Sequence, residues 1–203
     1  MPDHIDSMKL LTNQRSLDFL KLYHVPTLDY QQVSGAHEVK KFPRVLKVDS
    51  PVIIHKAERR GVHVVHHKDH VDNNFSKLRK QGQVISQQHV DGHHFMIQVS
   101  KPPKGKKSLV VGLVRSANIH NDLSVRSCPI KPSSAKKLIE ELRTCNDVLE
   151  FNGKKTRFVV LQNTLVALVK LASDKQVQSV EIDPFIVNDK FGGVADAKIV
   201  LRK

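Results

Sequence analysis

Apolar positions recur along the chain at two spacings, and the spacing assigns the elements. Leu17, Phe19, Leu20 and Tyr23 make a stripe at helical steps over Asn13 to Tyr23, with Thr12 placed to cap the helix and Val25-Pro26 to end it. Arg44 to Val48 reads as a buried strand, and Val52-Ile53-Ile54 follows as a second apolar run after Ser50-Pro51. Asp69 is positioned to cap a helix carrying Val71, Phe75 and Leu78 inward, with Gly82 beyond its end. Three strands are predicted next, at Val84 to Val90, Phe95 to Val99 and Leu109 to Val114. Ser133 or Ser134 stands where a cap is wanted for a helix reaching Thr144, with Leu138, Ile139 and Leu142 inward, and a more apolar helix runs from Arg157 to Ala172. The chain closes on strands at Val177 to Glu181, Phe185 to Val187 and Ala195 to Leu201. This irregular alternation is the pattern of an α/β protein, an α+β sandwich, without internal repeat or low-complexity linker.

With 203 residues, 39% of them hydrophobic, the chain can bury a real core. No run approaches the roughly 18 consecutive apolar residues that span a bilayer, and the opening MPDHIDSMKLL lacks the regions of a signal peptide. The expectation is a cytoplasmic protein with no membrane partner. Cys128 and Cys145 are too few for a disulfide framework and read as packing residues. The 33 Lys and Arg against 20 Asp and Glu leave a formal +13, a field that favours polyanions: nucleotide triphosphates, coenzyme A, nucleic acid or an acidic partner subunit. Aromatics are only 5%, so a stacking platform for single-stranded bases is poorly supplied and nucleic acid rests on electrostatics alone. The run Lys101 to Lys107 has the composition of a solvated hairpin tip rather than a phosphate clamp.

Three segments resemble a known family. Leu11-Thr12 through Tyr23-His24-Val25-Pro26 is similar to the "LT…yGIP" entry of ATP-grasp domains in NDP-forming acyl-CoA synthetases. Phe42 to Lys56, ending Ser50-Pro51-Val52-Ile53-Ile54-His55-Lys56, with Gly61-Val62 beyond, resembles that family's "PVvlKi.SPdIiHKsd.GGV". Glu181-Ile182-Asp183-Pro184-Phe185-Ile186-Val187, followed by Gly193 to Leu201, resembles its closing "EiNPLiV…G..avDAkivL". Order and spacing agree across nearly the whole chain. The resemblance implies a single ATP-grasp module over residues 1 to 203, with a smaller N-terminal lobe at about 25 to 100 and a larger lobe from 1 to 24 and 101 to 203. It also implies nucleotide held between the antiparallel sheets of the two lobes.

The chemistry wanted at these positions is simple. Triphosphate oxygens want a compact cation, and a strand lysine can supply one. Read without the resemblance, Lys47 is more simply a lysine reaching solvent; with it, Lys47 becomes the phosphate-binding candidate, joined by Lys56, Gln87 and Gln88. Mg²⁺ takes oxygen ligands, commonly one or two carboxylates with phosphates and water. Asp183 and Asp196 supply such a pair across a short turn, with Glu181 as a further candidate, and Asp183 stands where the family usually has Asn. The resemblance makes His55 the phosphoryl relay, a role imidazole suits because it is nucleophilic when neutral.

Some positions depart from the pattern. Arg60 replaces the first glycine after His55-Lys56, Gln88 stands at an acidic position beside Gln87, and His94 stands at a family Glu. The counterpart of a glycine-rich phosphate segment, Lys106 to Ser116, lacks the paired glycines, while Asp122 to Pro129 again resembles the "Dvafr..P" that follows. Two readings therefore stand side by side. One is a beta-type subunit that binds Mg-ATP or Mg-ADP and relays phosphate, an acid-CoA ligase (ADP-forming) subunit. It needs an alpha-type CoA-ligase partner because no G-x-G-x-x-G follows a strand here. The other is a catalytically degenerate ATP-grasp protein whose basic surface binds RNA, a ribonucleoprotein or a protein complex.

Overall fold

The structure is a computed structural model describing residues 8–51, 60–100, 106–113 and 122–202. Among these, the elements run β1 (Met8–Leu10), α1 (Asn13–Leu22), β2 (Tyr30–Val33), β3 (Arg44–Asp49), β4 (Val62–Val65), α2 (Val71–Arg79), β5 (Gln83–Gln88), β6 (His93–Ser100) and β7 (Ser108–Leu113). They continue β8 (Leu123–Ser127), α3 (Pro132–Glu140), β9 (Glu150–Phe151), β10 (Lys154–Lys155), α4 (Phe158–Ser173), β11 (Val177–Val187), β12 (Gly192–Val194) and β13 (Ala197–Arg202). The chain divides into two compact units, one of Met1–Leu11, Ser16–Thr27 and Asp91–Lys203, the other of Thr12–Arg15 and Leu28–Val90.

In the second unit an antiparallel sheet of order β2-β5-β3-β4 carries α2 on one face. Strand alternation explains the layering. Leu46 and Val48 of β3 join Val84 of β5 and Val33 of β2 in a core with Val71, Phe75 and Leu78 of α2. The helix begins later than a cap at Asp69 would place it. Asp69 lies inside a 3-10 turn, Lys68–His70, and the helix starts from His70 with no side-chain cap.

In the first unit β1-β13-β11-β6-β7-β8 form one antiparallel sheet, with β12 also paired to β11. Phe95, Ile97 and Val99 of β6 and Leu109 and Val111 of β7 are buried, as are Leu165 and Leu168 of α4. Helix α4 packs on β11 and β6, and α3 on α4 and β8. The cap expected at Ser133 or Ser134 falls instead at Lys131, because Pro132 takes the first helical position, where its missing N–H costs nothing. The two strands expected at Val177 and Phe185 are one long strand, β11, whose register slips between Ile182 and Phe185. Pro184 has no N–H to give the ladder, so the irregularity falls there.

Helix α1 keeps its predicted start, with the Arg15 amide donating to Thr12 Oγ1 at 3.3 Å. It ends before Pro26 can act. His24 turns left-handed (φ 58°), its amide donating to the Lys21 carbonyl at 3.0 Å while the Val25 amide donates to Leu20 at 3.1 Å. That is the Schellman pattern, with histidine in the place glycine usually takes.

Two charged residues stitch the larger sheet to its helices. Lys107 donates from Nζ to the carbonyls of Ala172 and Val177, the latter at 2.8 Å, holding the C-terminal end of α4 beside β11. A cation at carbonyls left without helical partners is favourable both as hydrogen-bond donor and as charge. Asp122 accepts from the amides of Arg143 (2.6 Å) and Thr144 (3.1 Å) and from the Thr144 hydroxyl. Partial burial opposes its charge, but these hydrogen bonds outweigh it and hold the carboxyl below its usual range.

Lys107→Met should lower unfolding free energy by about 2 kcal/mol, read as a shift in urea midpoint at constant slope. Asp122→Asn should cost about 1 kcal/mol at pH 7. Because its folded pKa is depressed, that contribution is present above the unfolded value near pH 4 and is lost as pH falls through the folded one. The gap between wild type and Asp122→Asn in urea should therefore close in acid.

Candidate functional site

The candidate residues fall in both units. In β3 the side chains alternate, so Val45, Lys47 and Asp49 share the face turned away from α2. Lys47 pairs with Ile85 on β5 and Val62 on β4, and Val45 pairs with Gln87. Lys47 and Gln87 are thus one rung apart on the same face, at 3% and 2% exposure. Both engage further groups. Gln88 belongs to the other face, on the Arg44 rung, and is exposed, so the two glutamines do not act on one ligand from one face.

Arg44, which the sequence reading treats only as a strand residue, is buried in this sheet. Its guanidinium donates to Ser86 Oγ at 3.0 Å and the Ser86 carbonyl at 2.9 Å, and pairs with Asp29 at 3.3 Å. Fork geometry spends three donors on fixed partners and makes Arg44 a brace for β3, the strand that carries Lys47.

His55 and Lys56 lie outside the described residues, as do Val52-Ile53-Ile54 and Lys101 to Gly105. Arg60, at the exit of that first segment, has φ 52°. That is the left-handed region, which a glycine adopts freely and an arginine only at a cost. Gly112, in the stretch without paired glycines, lies under Leu123: a β-carbon there would stand 2.4 Å from Leu123 Cδ2, the end of an exposed side chain that can turn aside. His94 sits exposed on β6, paired with Ile186.

The carboxylates come together on the other unit's sheet. Strands β11 and β13 are antiparallel, pairing Ile182 with Ala197 and Glu181 with Lys198. One step on, the Asp183 amide donates to the Asp196 carbonyl at 3.1 Å. Asp196 occupies the bend between β12 and β13 rather than a strand position. Burial pushes the Asp183 carboxyl up from its ordinary value, the Glu181 charge adds to the rise, Lys198 opposes it and Asp196 adds again. Asp183 nonetheless retains an exposed surface. Glu181 is engaged by Lys198 Nζ at 2.8 Å.

Among the described residues no three His, Cys, Asp or Glu side chains converge into a metal cage. Mg²⁺ does not need one, since it takes one or two carboxylates and draws the rest of its shell from phosphate and water. Asp183 and Asp196 fit that demand: two carboxylates at one bend, where the Asp196 charge adds to the cost of charging Asp183, a cost that a divalent cation would relieve.

An ATP-grasp domain family profile matches residues 5–201. The chain belongs to the ATP-grasp family. Its fold, mixed α/β with antiparallel sheets, is the ATP-grasp fold. Across 94% of its length it is 22% identical to the beta subunit of acetate-CoA ligase (ADP-forming) I of Pyrococcus furiosus, covering 91% of that protein. It is 24% identical to 4-hydroxybutyrate-CoA ligase (ADP-forming) of Nitrosopumilus maritimus, there covering 94% of this chain but only 31% of the larger protein. Acetyl-coenzyme A synthetase 1 of Candidatus Korarchaeum cryptofilum superposes with a TM-score of 0.82 at 21% identity, covering 96% of this chain and 93% of that one. That structure holds coenzyme A and Mg-AMPPCP, with its phosphohistidine segment pointing towards the nucleotide-binding site. The first two relatives are ADP-forming acyl-CoA ligases, and this ATP-grasp chain is homologous to the beta subunit of the Pyrococcus furiosus enzyme.

A carboxyl whose folded pKa is raised opposes folding once pH rises through that value, and the penalty is absent in acid. Asp183→Asn should therefore raise the melting temperature of the metal-free protein at pH 7, by about 1–2 °C given its exposure to solvent. At pH 3.5 the two proteins should melt together in calorimetry.

Proposed function

We propose that this chain is the nucleotide-handling, beta-type subunit of an ADP-forming acyl-CoA synthetase, working with an alpha-type CoA-ligase subunit. The overall reaction is acyl-CoA + ADP + phosphate to acid + CoA + ATP, reversibly. The observation that carries this reading is the Asp183–Asp196 juxtaposition, found in a chain that aligns with nearly the full length of a named beta subunit.

In this reading the neutral imidazole of His55 attacks the phosphorus of an acyl phosphate formed with the partner. An N–P bond forms as the P–O bond to the acyl group breaks and the carboxylate leaves. A terminal phosphate oxygen of ADP then attacks the same phosphorus, the N–P bond breaks, and ATP and free imidazole result. Lys47 neutralises phosphate oxygens as a point charge, and Lys56 adds a second cation beside the relay residue. Gln87, on the Lys47 face, supplies hydrogen bonds to the nucleotide. Asp183 and Asp196 would hold Mg²⁺, which when bound offsets the negative charge of the phosphates. Arg44 keeps the strand under Lys47 in register through Ser86.

Mass spectrometry of the chain after incubation with Mg-ATP, under conditions that preserve N–P bonds, tests the proposal. Wild type should carry one acid-labile phosphate on His55, and His55→Ala should carry none. Asp183→Ala should reduce labelling at least about tenfold, since the charged phosphates lose their metal-ion counterweight. Label that survives in His55→Ala, or no label on wild type supplied with its partner, would overturn it.

A further inference from the structure

Charged residues gather along one stretch of the larger sheet. Glu181 faces Lys198 across β11 and β13, and two residues further along β11 the Asp183 amide meets the Asp196 carbonyl at the bend before β13. Residues two apart on a strand point to one side, so Glu181 and Asp183 belong to one surface, and the field of Glu181 acts on Asp183. The Glu181 and Asp196 charges both act on Asp183, and Glu181 is tied by the Lys198 ammonium at 2.8 Å.

We propose that Lys198 is a positioning residue that withholds Glu181 from the metal site, leaving Asp183 and Asp196 as its two carboxylate ligands. This rests on the reading of those two aspartates as metal ligands. Three free carboxylates would make a site of higher charge and more oxygen donors, the arrangement that suits Ca²⁺. Two carboxylates leave coordination places for phosphate oxygens and water, which suits Mg²⁺ carrying a nucleotide. Lys198 therefore sets both the charge of the site and the ion it selects. The two partners keep 31% and 40% of their side-chain surface in solvent, so the pair adds little to folding stability. Neutralising it leaves the fold intact.

The test is calorimetric titration of the full-length chain with Mg²⁺ and Ca²⁺, without nucleotide, with circular dichroism to confirm folding. Lys198→Met should tighten Ca²⁺ binding about tenfold and Mg²⁺ binding less, because Glu181 becomes available. The double variant Glu181→Gln with Lys198→Met keeps the net charge of wild type, and should bind both ions within about twofold of it if Glu181 is not a ligand. Asp183→Ala, which leaves no side-chain oxygen at that position, should lose binding. A double variant as weak as Asp183→Ala would mean that Glu181 already ligates the ion, and the inference would be wrong. A Lys198→Met protein no tighter than wild type would equally overturn it. If Asp183→Ala binds as wild type does, or wild type takes up neither ion, the assignment of the aspartates themselves fails, and the role of Lys198 with it.

Discussion

Everything on the larger sheet hangs on the two-sided pairing of β11. One edge is bonded to β6 along its length, while the other is shared between β13 and β12, which take over from each other at the Ala195-Asp196 bend. Pro184 interrupts the ladder at the same level, because it has no N–H to contribute. Two bonds hold the strands together across the interruption, from the Asp183 amide to the Asp196 carbonyl and from the Ala195 amide to the Pro184 carbonyl. The slip in register is therefore both tolerated and fixed in place. It is also where the two aspartates meet, so the geometry of the candidate metal site follows from where a proline was allowed into a central strand.

The distribution of charge is more informative than its total. A formal +13 invites a reading in terms of polyanion surfaces. Several cations are instead committed inside the molecule: Arg44 to Ser86 and Asp29, Lys107 to the end of α4, Lys198 to Glu181. Against this basic background the carboxylates at Asp183, Asp196 and Glu181 form a local acidic exception on one sheet face. That makes the site a better receiver of a divalent cation than the net charge suggests, since a field decays within about 8–10 Å at ordinary salt and local groups dominate.

The departures from the family pattern sort themselves by backbone and side chain. Arg60 sits at a left-handed φ of 52°, a conformation that glycine reaches without cost. Gly112 lies beneath the exposed Leu123 side chain on the neighbouring strand. Gln87 stays buried on the Lys47 face while Gln88 lies on the opposite one, so only the first is placed with the phosphate lysine.

The sequence by itself determined the amphipathic elements, because period 3.6 or period 2 is written in consecutive residues: Val71, Phe75 and Leu78 of α2, or Phe95, Ile97 and Val99 of β6. It also determined the family and the identity of Lys47, His55, Asp183 and Asp196 as candidates, since those rest on local motifs. Caps were legible only where the helix start obeyed the side-chain rule, as at Thr12; at Asp69 a 3-10 turn intervened, and at Ser133 and Ser134 a proline displaced the start. Strand register, which decides that Gln88 turns away from Lys47 and that Glu181 meets Lys198, was left to the tertiary structure. So were the carbonyls that claim Lys107 and the amides that claim Asp122. These are long-range hydrogen bonds and ion pairs whose partners lie between 17 and 70 residues away along the chain. No local pattern encodes such pairings, because they exist only once packing has brought distant backbone groups to the same place.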